Sequence, residues 1–205
     1  MRNGPSISRT RVLVLSPYPE KLMPAFKNRD CEVLVSTSEP TLLPDADWVV
    51  SFGYRHILGR PSINRYQERI INIHISMLPW NRGSDPNLWS FFDNTPKGVT
   101  IHQIDAGLDT GPIFAQEKIS FSGNQTLKTS YDILQSAASL LFCSTWDSIL
   151  KDKITGKKQQ KGGTYHRSAD KERIMSKLPL GWDTPTSVVE KMGEESRGKP
   201  VKGIY

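Results

Sequence analysis

The sequence predicts an α/β domain, an open, mostly parallel twisted sheet with flanking helices. Two observations carry that expectation. Short apolar runs recur between polar, proline-containing connections that leave room for helices. After Asn124 the pattern changes to a long stretch with helical period.

Taken in order, Arg11–Ser16 (RVLVLS) is an apolar run closed by Pro17 and reads as a buried strand. Glu32–Val35, Asp47–Phe52 and Arg69–His74 read the same way, with a helix expected over Glu20–Asn28. Lys97–Ile104 and Ile113–Phe121 predict two further strands, joined by Asp105–Pro112. Asn124 or Thr126 can cap a long helix whose apolar face comprises Ile133, Leu134, Ala137, Leu140, Leu141, Ile149 and Leu150. Gly156 is the expected helix stop. From Lys157 the chain turns polar (KKQQKGG, then scattered Pro and Gly). We therefore divide it into a domain over 1–156 and a loosely packed basic extension over 157–205.

Composition narrows the class. A chain of 205 residues with 37% hydrophobic and 23% charged side chains can bury a core without disulfides or metal. The early apolar run is too short for a membrane span or a signal core. Cys31 and Cys143 form no CxxC pair, which fits a reducing, cytoplasmic setting. The net charge of +6 is unevenly placed. Residues 1–150 hold 14 basic and 14 acidic side chains, whereas 151–205 hold 13 and 7, so 13 − 7 accounts for all of the excess. That excess suits a solvated tail or an anionic small molecule; no RNP pattern or zinc finger favours nucleic acid. The first strand is followed by SPYPEK rather than GxGxxG, and no GxxxxGK[ST] or GxSxG occurs. His56, His74, His102 and His166 show neither HxH nor HExxH spacing, so no metal site is expected.

The chemistry-bearing stretch is Ile70–Pro86, IINIHISMLPWNRGSDP. Strand alternation puts Asn72 and His74 on one face at a carboxyl strand end, where sites form in open α/β sheets. The loop IDAGLDTGP, Ile104–Pro112, adds Asp105 and Asp109 among glycines. An amide, an imidazole and a carboxylate together can serve acyl transfer: the amide holds an oxyanion, the imidazole handles charge or a proton, and the carboxylate sets the imidazole's tautomer. His102 shares a strand face with Thr100, within approach of the site, but reads first as a satisfied structural histidine; taken on the residues alone, His56 and His166 read as surface.

Asn72-Ile73-His74, Ser76-Met77-Leu78-Pro79, Gly83 and Leu108-Asp109-Thr110-Gly111-Pro112 together closely resemble the folate-dependent formyltransferases. The resemblance is strong over Val49–Phe121. It implies a Rossmann-like fold and a catalytic trio of Asn72, His74 and Asp109. It also implies 10-formyltetrahydrofolate as donor, with no metal. The pterin would lie between the Ser51–Leu58 segment (Phe52, Gly53, Tyr54, His56, Ile57, Leu58) and the Ile104–Asp109 loop (Ile104, Asp105, Gly107). The stretch from Trp80 to Trp89 resembles the acceptor region of the sugar N-formyltransferases, which assigns Trp80, Asn81, Arg82, Gly83 and Asn87 to the acceptor. Gln160 and Gly162-Gly163-Thr164-Tyr165 resemble the segment after the catalytic domain of methionyl-tRNA formyltransferase. Ser16-Pro17-Tyr18-Pro19 replaces the glycine-rich loop of the glycinamide ribonucleotide enzymes, and about 50 residues after Gly156 are few for a tRNA-gripping domain. The expectation is therefore an anionic small-molecule amine, with a nucleotide-linked amino sugar leading. The alternatives are a methionyl-tRNA acceptor, hydrolysis of the donor by water, and a non-catalytic RNA-linked protein. The oligomeric state is open, a homodimer being one option.

Overall fold

The computed structural model of the chain describes residues 9–27, 29–38 and 43–198. In chain order the elements are β1 (Thr10–Leu15), α1 (Met23–Phe26), β2 (Cys31–Ser36), β3 (Trp48–Phe52), α2 (Arg60–Tyr66), β4 (Ile70–His74), β5 (Arg82–Gly83), α3 (Pro86–Phe92), β6 (Gly98–Gln103), β7 (Ile113–Lys118), α4 (Leu127–Leu150), β8 (Tyr165–His166), α5 (Ser168–Met175) and α6 (Thr186–Gly198). The main sheet runs β2-β1-β3-β4-β6-β7. Its first four strands are parallel, and β6 is antiparallel to both β4 and β7. β5 and β8 form a separate small parallel pair.

Both faces of the sheet are covered, which explains the unbroken apolar strands. Val12 and Val14 face one side with Ile71, Ile73, Phe142 and Trp146. Leu13 and Leu15 face the other with Val49, Ile70 and Tyr66 of α2. The six expected strands are all present. The expected helix over Glu20–Asn28 is shorter: α1 starts at Met23, with Pro24 in its first turn, and Lys27 is already extended, with φ −61° and ψ 135°. Asn28 lies outside the described residues.

Thr126 caps α4. Its hydroxyl accepts from the Thr129 N–H, and the Thr129 hydroxyl accepts from the Thr126 N–H. The helix ends at Leu150, not at Gly156, because the chain turns through left-handed Asp152 (φ 50°). Gly156 instead packs on Pro112, 2.7 Å from where a Cβ would stand. The buried face of α4 is Leu134, Ala138, Phe142, Trp146 and Ile149, whereas Leu140, expected to be buried, is 69% exposed. Ile133 is exposed as well.

The segment after Lys157 is not loosely packed. Ile174, Leu178 and Val189 join Leu88, Trp89 and Phe92 in a third core that fastens α5 and α6 to α3. His166 is no surface residue: it stacks on Trp89 with ring centroids 3.9 Å apart and bonds Asp93 at 2.7 Å. Residues 199–205 lie outside the described residues. No helix among the described residues is long and apolar enough to cross a membrane.

Candidate active site

The site forms at the carboxyl end of β4, where the parallel half of the sheet meets the antiparallel half. The register pairs Asn72 with His102 and His74 with Thr100 across β4 and β6. Asn72 and His102 therefore meet on the face opposite buried Ile71 and Ile73. The Ile104–Pro112 loop then folds back so that Asp109, in left-handed backbone (φ 52°), reaches the same place.

Four side chains converge there. Asn72 Nδ2 lies 3.4 Å from Asp109 Oδ1 and 3.3 Å from His102 Nε2. His102 Nε2 is 3.4 Å from Asp109 Oδ1, and His74 Nε2 is 3.8 Å from Asp109 Oδ2. The Gly83 N–H donates to Asp109 Oδ2 at 2.8 Å. Burial on its own would raise the Asp109 carboxyl. The charges of His74 and His102, with the hydrogen bonds of His102 and Gly83, overcome that and hold it well below the usual carboxylate range. Asp109 is thus a fixed negative charge over the working pH range.

The imidazoles are oriented by backbone carbonyls. His74 donates from Nε2 to Asn81 O at 2.9 Å, and His102 donates from Nδ1 to Gln103 O at 2.7 Å. Asn81 and Asp85, like Asp109, are non-glycine residues in left-handed backbone (φ 55° and 53°), so unusual conformations cluster around this centre.

Two cavities open beside it and share Gly53, Tyr54, Arg55, Gly83, Asp85 and Lys171. The first, about 800 Å³, is lined by Asn72, His102 and Asp109, together with His56, Ile57, Leu58, Ile104, Asp105 and Gly107. Every residue expected at the pterin except Phe52 therefore lines this one lobe. Phe52, fully buried, lines the second lobe of about 730 Å³. Asp105 also builds its own loop, accepting from the Gly107 N–H at 3.1 Å and the Thr110 hydroxyl at 2.7 Å. His74, 8% exposed, lines neither lobe.

The residues expected at the acceptor divide. Gly83 lines both lobes and Asn87 the second. Asn87 nevertheless spends its amide between α3 and α4, donating to Leu127 O at 2.8 Å and accepting from Ser130 at 3.0 Å. Asn81 is fully buried, bonded to Thr95 and Thr164. Arg82 holds Gln159 Oε1 at 2.8 and 3.2 Å, and Trp80 lines a separate cavity beside Pro96 and Gln116. For Trp80, Asn81 and Arg82 the structure gives a supporting position rather than a place in the lobes: the β5–β8 pair fixes that turn.

Gln159 and Thr164, from the segment that reads as polar tail, support the centre. Gln159 Nε2 donates to the carbonyls of Asp109 (2.8 Å) and Gly111 (2.9 Å). Only the β4–β6 register reveals His102, and no local sequence signal marks Gln159.

Known proteins resemble this chain in sequence and fold. PseJ from Anoxybacillus kamchatkensis, a formyltransferase solved with UDP-4,6-dideoxy-4-formamido-L-AltNAc and tetrahydrofolate, superposes with a TM-score of 0.84 at 41% identity, covering 89% of this chain and 99% of that one. Methionyl-tRNA formyltransferase of Elusimicrobium minutum is 29% identical over 180 residues, 86% of this chain and 54% of that protein. Phosphoribosylglycinamide formyltransferase of Bacillus subtilis is 36% identical over 92 residues, 44% of this chain and 47% of that protein. The chain thus spans about half the length of these sequence relatives. The formyl transferase family matches residues 30–145, a span that includes Asn72 on β4, His102 on β6 and Asp109 in the loop after it, and the chain belongs to that family.

Proposed function

We propose that this protein transfers a formyl group from 10-formyltetrahydrofolate to the amine of a nucleotide-linked amino sugar. One observation carries the reading: two cavities of substrate size adjoin along Gly53, Tyr54, Arg55, Ile73 and Gly83, with Asn72 and Asp109 on the wall of the first, so that two bound molecules can face one another beside them. The first lobe suits a pterin, with flat walls at Tyr54 and Ile104 and glycines 53 and 107 permitting close approach. The second adds Lys128 to the shared Arg55 and Lys171, against Asp183 and the Asp85 that pairs with Lys171 at 3.1 Å, and the remaining positive balance suits an anionic acceptor. The 41% identity to a protein solved with a UDP-linked formamido sugar and tetrahydrofolate supports the same pairing.

The folate supplies the formyl carbon. The amine nitrogen bonds to that carbon while the carbon's bond to folate nitrogen breaks, and one proton moves from the amine to the folate. Asn72 donates its amide N–H to the formyl oxygen as that oxygen gains charge. A donor of this kind contributes on the order of 10²–10³ in kcat. Asp109 accepts an amine N–H and balances the positive charge growing on nitrogen. Because it is held ionised so firmly, its part is electrostatic and orienting, and His102 at 3.4 Å stands beside it to carry the proton onward. His74 stands 3.8 Å behind Asp109 and ties β4 to the Asn81 turn.

The sequence relatives favour a second reading, with methionyl-tRNA as the acceptor. One experiment separates the two. The protein is incubated with 10-formyltetrahydrofolate and, in turn, UDP-4-amino-4,6-dideoxy-L-AltNAc, initiator methionyl-tRNA or no acceptor. Formylation of the sugar supports the proposal. Formylation of the tRNA alone, or formate release without an acceptor at the full rate, overturns it.

A further inference from the structure

The rim of the second lobe carries an aromatic ring that belongs to none of the three apolar cores. Trp182 lines that lobe and is 39% exposed. The other tryptophans are occupied elsewhere: Trp48, Trp89 and Trp146 are buried, and Trp80 lines a different cavity. Trp182 also lies outside residues 30–145, the stretch that matches the formyl transferase family.

The ring stands on a fixed turn. Gly181 before it takes left-handed backbone (φ +54°), and the Leu180 N–H donates to the hydroxyl of fully buried Thr184 at 3.2 Å. The Thr184 carbonyl accepts from the Leu127 N–H at 3.1 Å, and the Thr186 N–H donates to Gln125 O at 2.8 Å. The turn is thereby tied to the start of α4, whose Leu127, Lys128 and Tyr131 line the same lobe. Lys171 Nζ stands 5.9 Å from the ring centroid while it pairs with Asp85 at 3.1 Å. A ring held in place before a ligand arrives needs little further ordering to bind it. The wall around it is charged, with Arg55, Lys128 and Lys171 against Asp85 and Asp183. A flat exposed ring beside a wall of net positive charge matches the two halves of a nucleotide: its phosphates are drawn to the cations, and its base offers a π-face for stacking.

We propose that Trp182 is a specificity-determining residue of the acceptor lobe, its indole stacking on the nucleobase of the nucleotide-linked amine. This rests on the reading that the second lobe takes the acceptor. A stack of this kind contributes about 10- to 100-fold in affinity. Every base has a π-face, so the residue selects nucleotide-linked amines over free amino sugars rather than one base over another.

The test separates the base from the phosphate. The protein saturated with tetrahydrofolate is titrated in a calorimeter with UMP and with ribose 5-phosphate, which carry the same phosphate with and without a base. Formyl transfer to UDP-4-amino-4,6-dideoxy-L-AltNAc is followed on the same proteins. Wild type should bind UMP about 10- to 100-fold more tightly than ribose 5-phosphate. Trp182→Ala should lose most of that factor on UMP and none on ribose 5-phosphate. It should raise the KM of the sugar by a similar factor while kcat and the folate KM stay within about threefold. Trp182→Phe should restore most of the affinity, and UMP should quench the tryptophan emission of wild type but not of Trp182→Phe. A purely structural role, or one exerted through Lys171, weakens both probes equally, and that result overturns the proposal. A sugar KM unaltered in Trp182→Ala overturns it too. The probe pair on wild type and the quenching comparison with Trp182→Phe decide the matter if Trp182→Ala does not fold. A wild type that fails to formylate the sugar refutes the acceptor reading and this inference with it. A wild type that formylates the sugar but binds UMP no more tightly than ribose 5-phosphate refutes only the role of Trp182.

Discussion

Replacing Gly83 by alanine should damage both stability and catalysis, and the size of the effect follows from three local facts. Gly83 has φ +90°, a left-handed conformation that costs an L-residue about 1–2 kcal/mol. A Cβ there would stand 2.2 Å from the carbonyl oxygen of His166 and 3.0 Å from the Tyr165 ring. The first is a backbone atom, so no side-chain rotation relieves the clash and the β5–β8 pair must separate. That movement withdraws the N–H that holds Asp109 Oδ2 at 2.8 Å, a bond to a charged group worth about 1.5–3 kcal/mol. The sum is about 2.5–5 kcal/mol of folding stability. A displacement of Asp109 by about 1 Å further lowers kcat on the order of 10²-fold. Gly162→Ala is the control: its φ is +95° but nothing lies within 4 Å of the added Cβ, so only the backbone strain remains. Urea unfolding and formyl-transfer kinetics on both variants are the assays. The reasoning is refuted if Gly83→Ala loses no more stability than Gly162→Ala, or if its kcat stays within about threefold of wild type.

Further outcomes follow from the same structure. Asp109 is held ionised in the fold, below the ordinary aspartate value of about 3.9. Its contribution to stability is thus fully present above about pH 5 and lost as the pH falls below about 4. Asp109→Asn should flatten the acid limb of a stability–pH curve, and identical limbs for the two proteins would contradict the assignment. Trp146 is fully buried with rings of Phe26, Trp48 and Phe142 at 5.6, 5.5 and 5.2 Å. Trp146→Ala should cost about 3–5 kcal/mol and lower Tm by roughly 6–20 °C; a calorimetric shift under about 3 °C is the contrary result. Gln159→Ala removes the two bonds that seat the Asp109–Gly111 loop. It should reduce kcat about tenfold with Tm changed by only a few degrees, and unaltered kinetics would show that the loop seats itself.

The elements legible in the sequence were those whose signal is local. Val12–Leu15 and Val49–Phe52 are apolar on both faces because helices cover both, and Thr126 announces α4 through a cap made with Thr129. The amide and carboxylate of the centre were legible because Asn72 stands at a strand end and Asp109 in a glycine-rich loop. His102 was not, since its place depends on the antiparallel register that pairs it with Asn72. The tail misled for a related reason. Ile174, Leu178 and Val189 are too sparse to form an apolar run, yet all three join the core that contains Leu88, Trp89, Phe91 and Phe92 of α3. Arg82, a free guanidinium by sequence, is occupied by Gln159, a partner 77 positions away.

The central claim is that formyl transfer takes place at Asn72 and Asp109, on the wall of the first lobe beside the second. Mass-spectrometric detection of N-formyl product in single turnovers tests it most directly, with 10-formyltetrahydrofolate and UDP-4-amino-4,6-dideoxy-L-AltNAc as probes and wild type, Asn72→Ala and Asp109→Asn as enzymes. Wild type should give a product heavier by one formyl group, and each variant should form it on the order of 10²-fold more slowly while still binding tetrahydrofolate. Product formed by either variant at the wild-type rate would contradict the account.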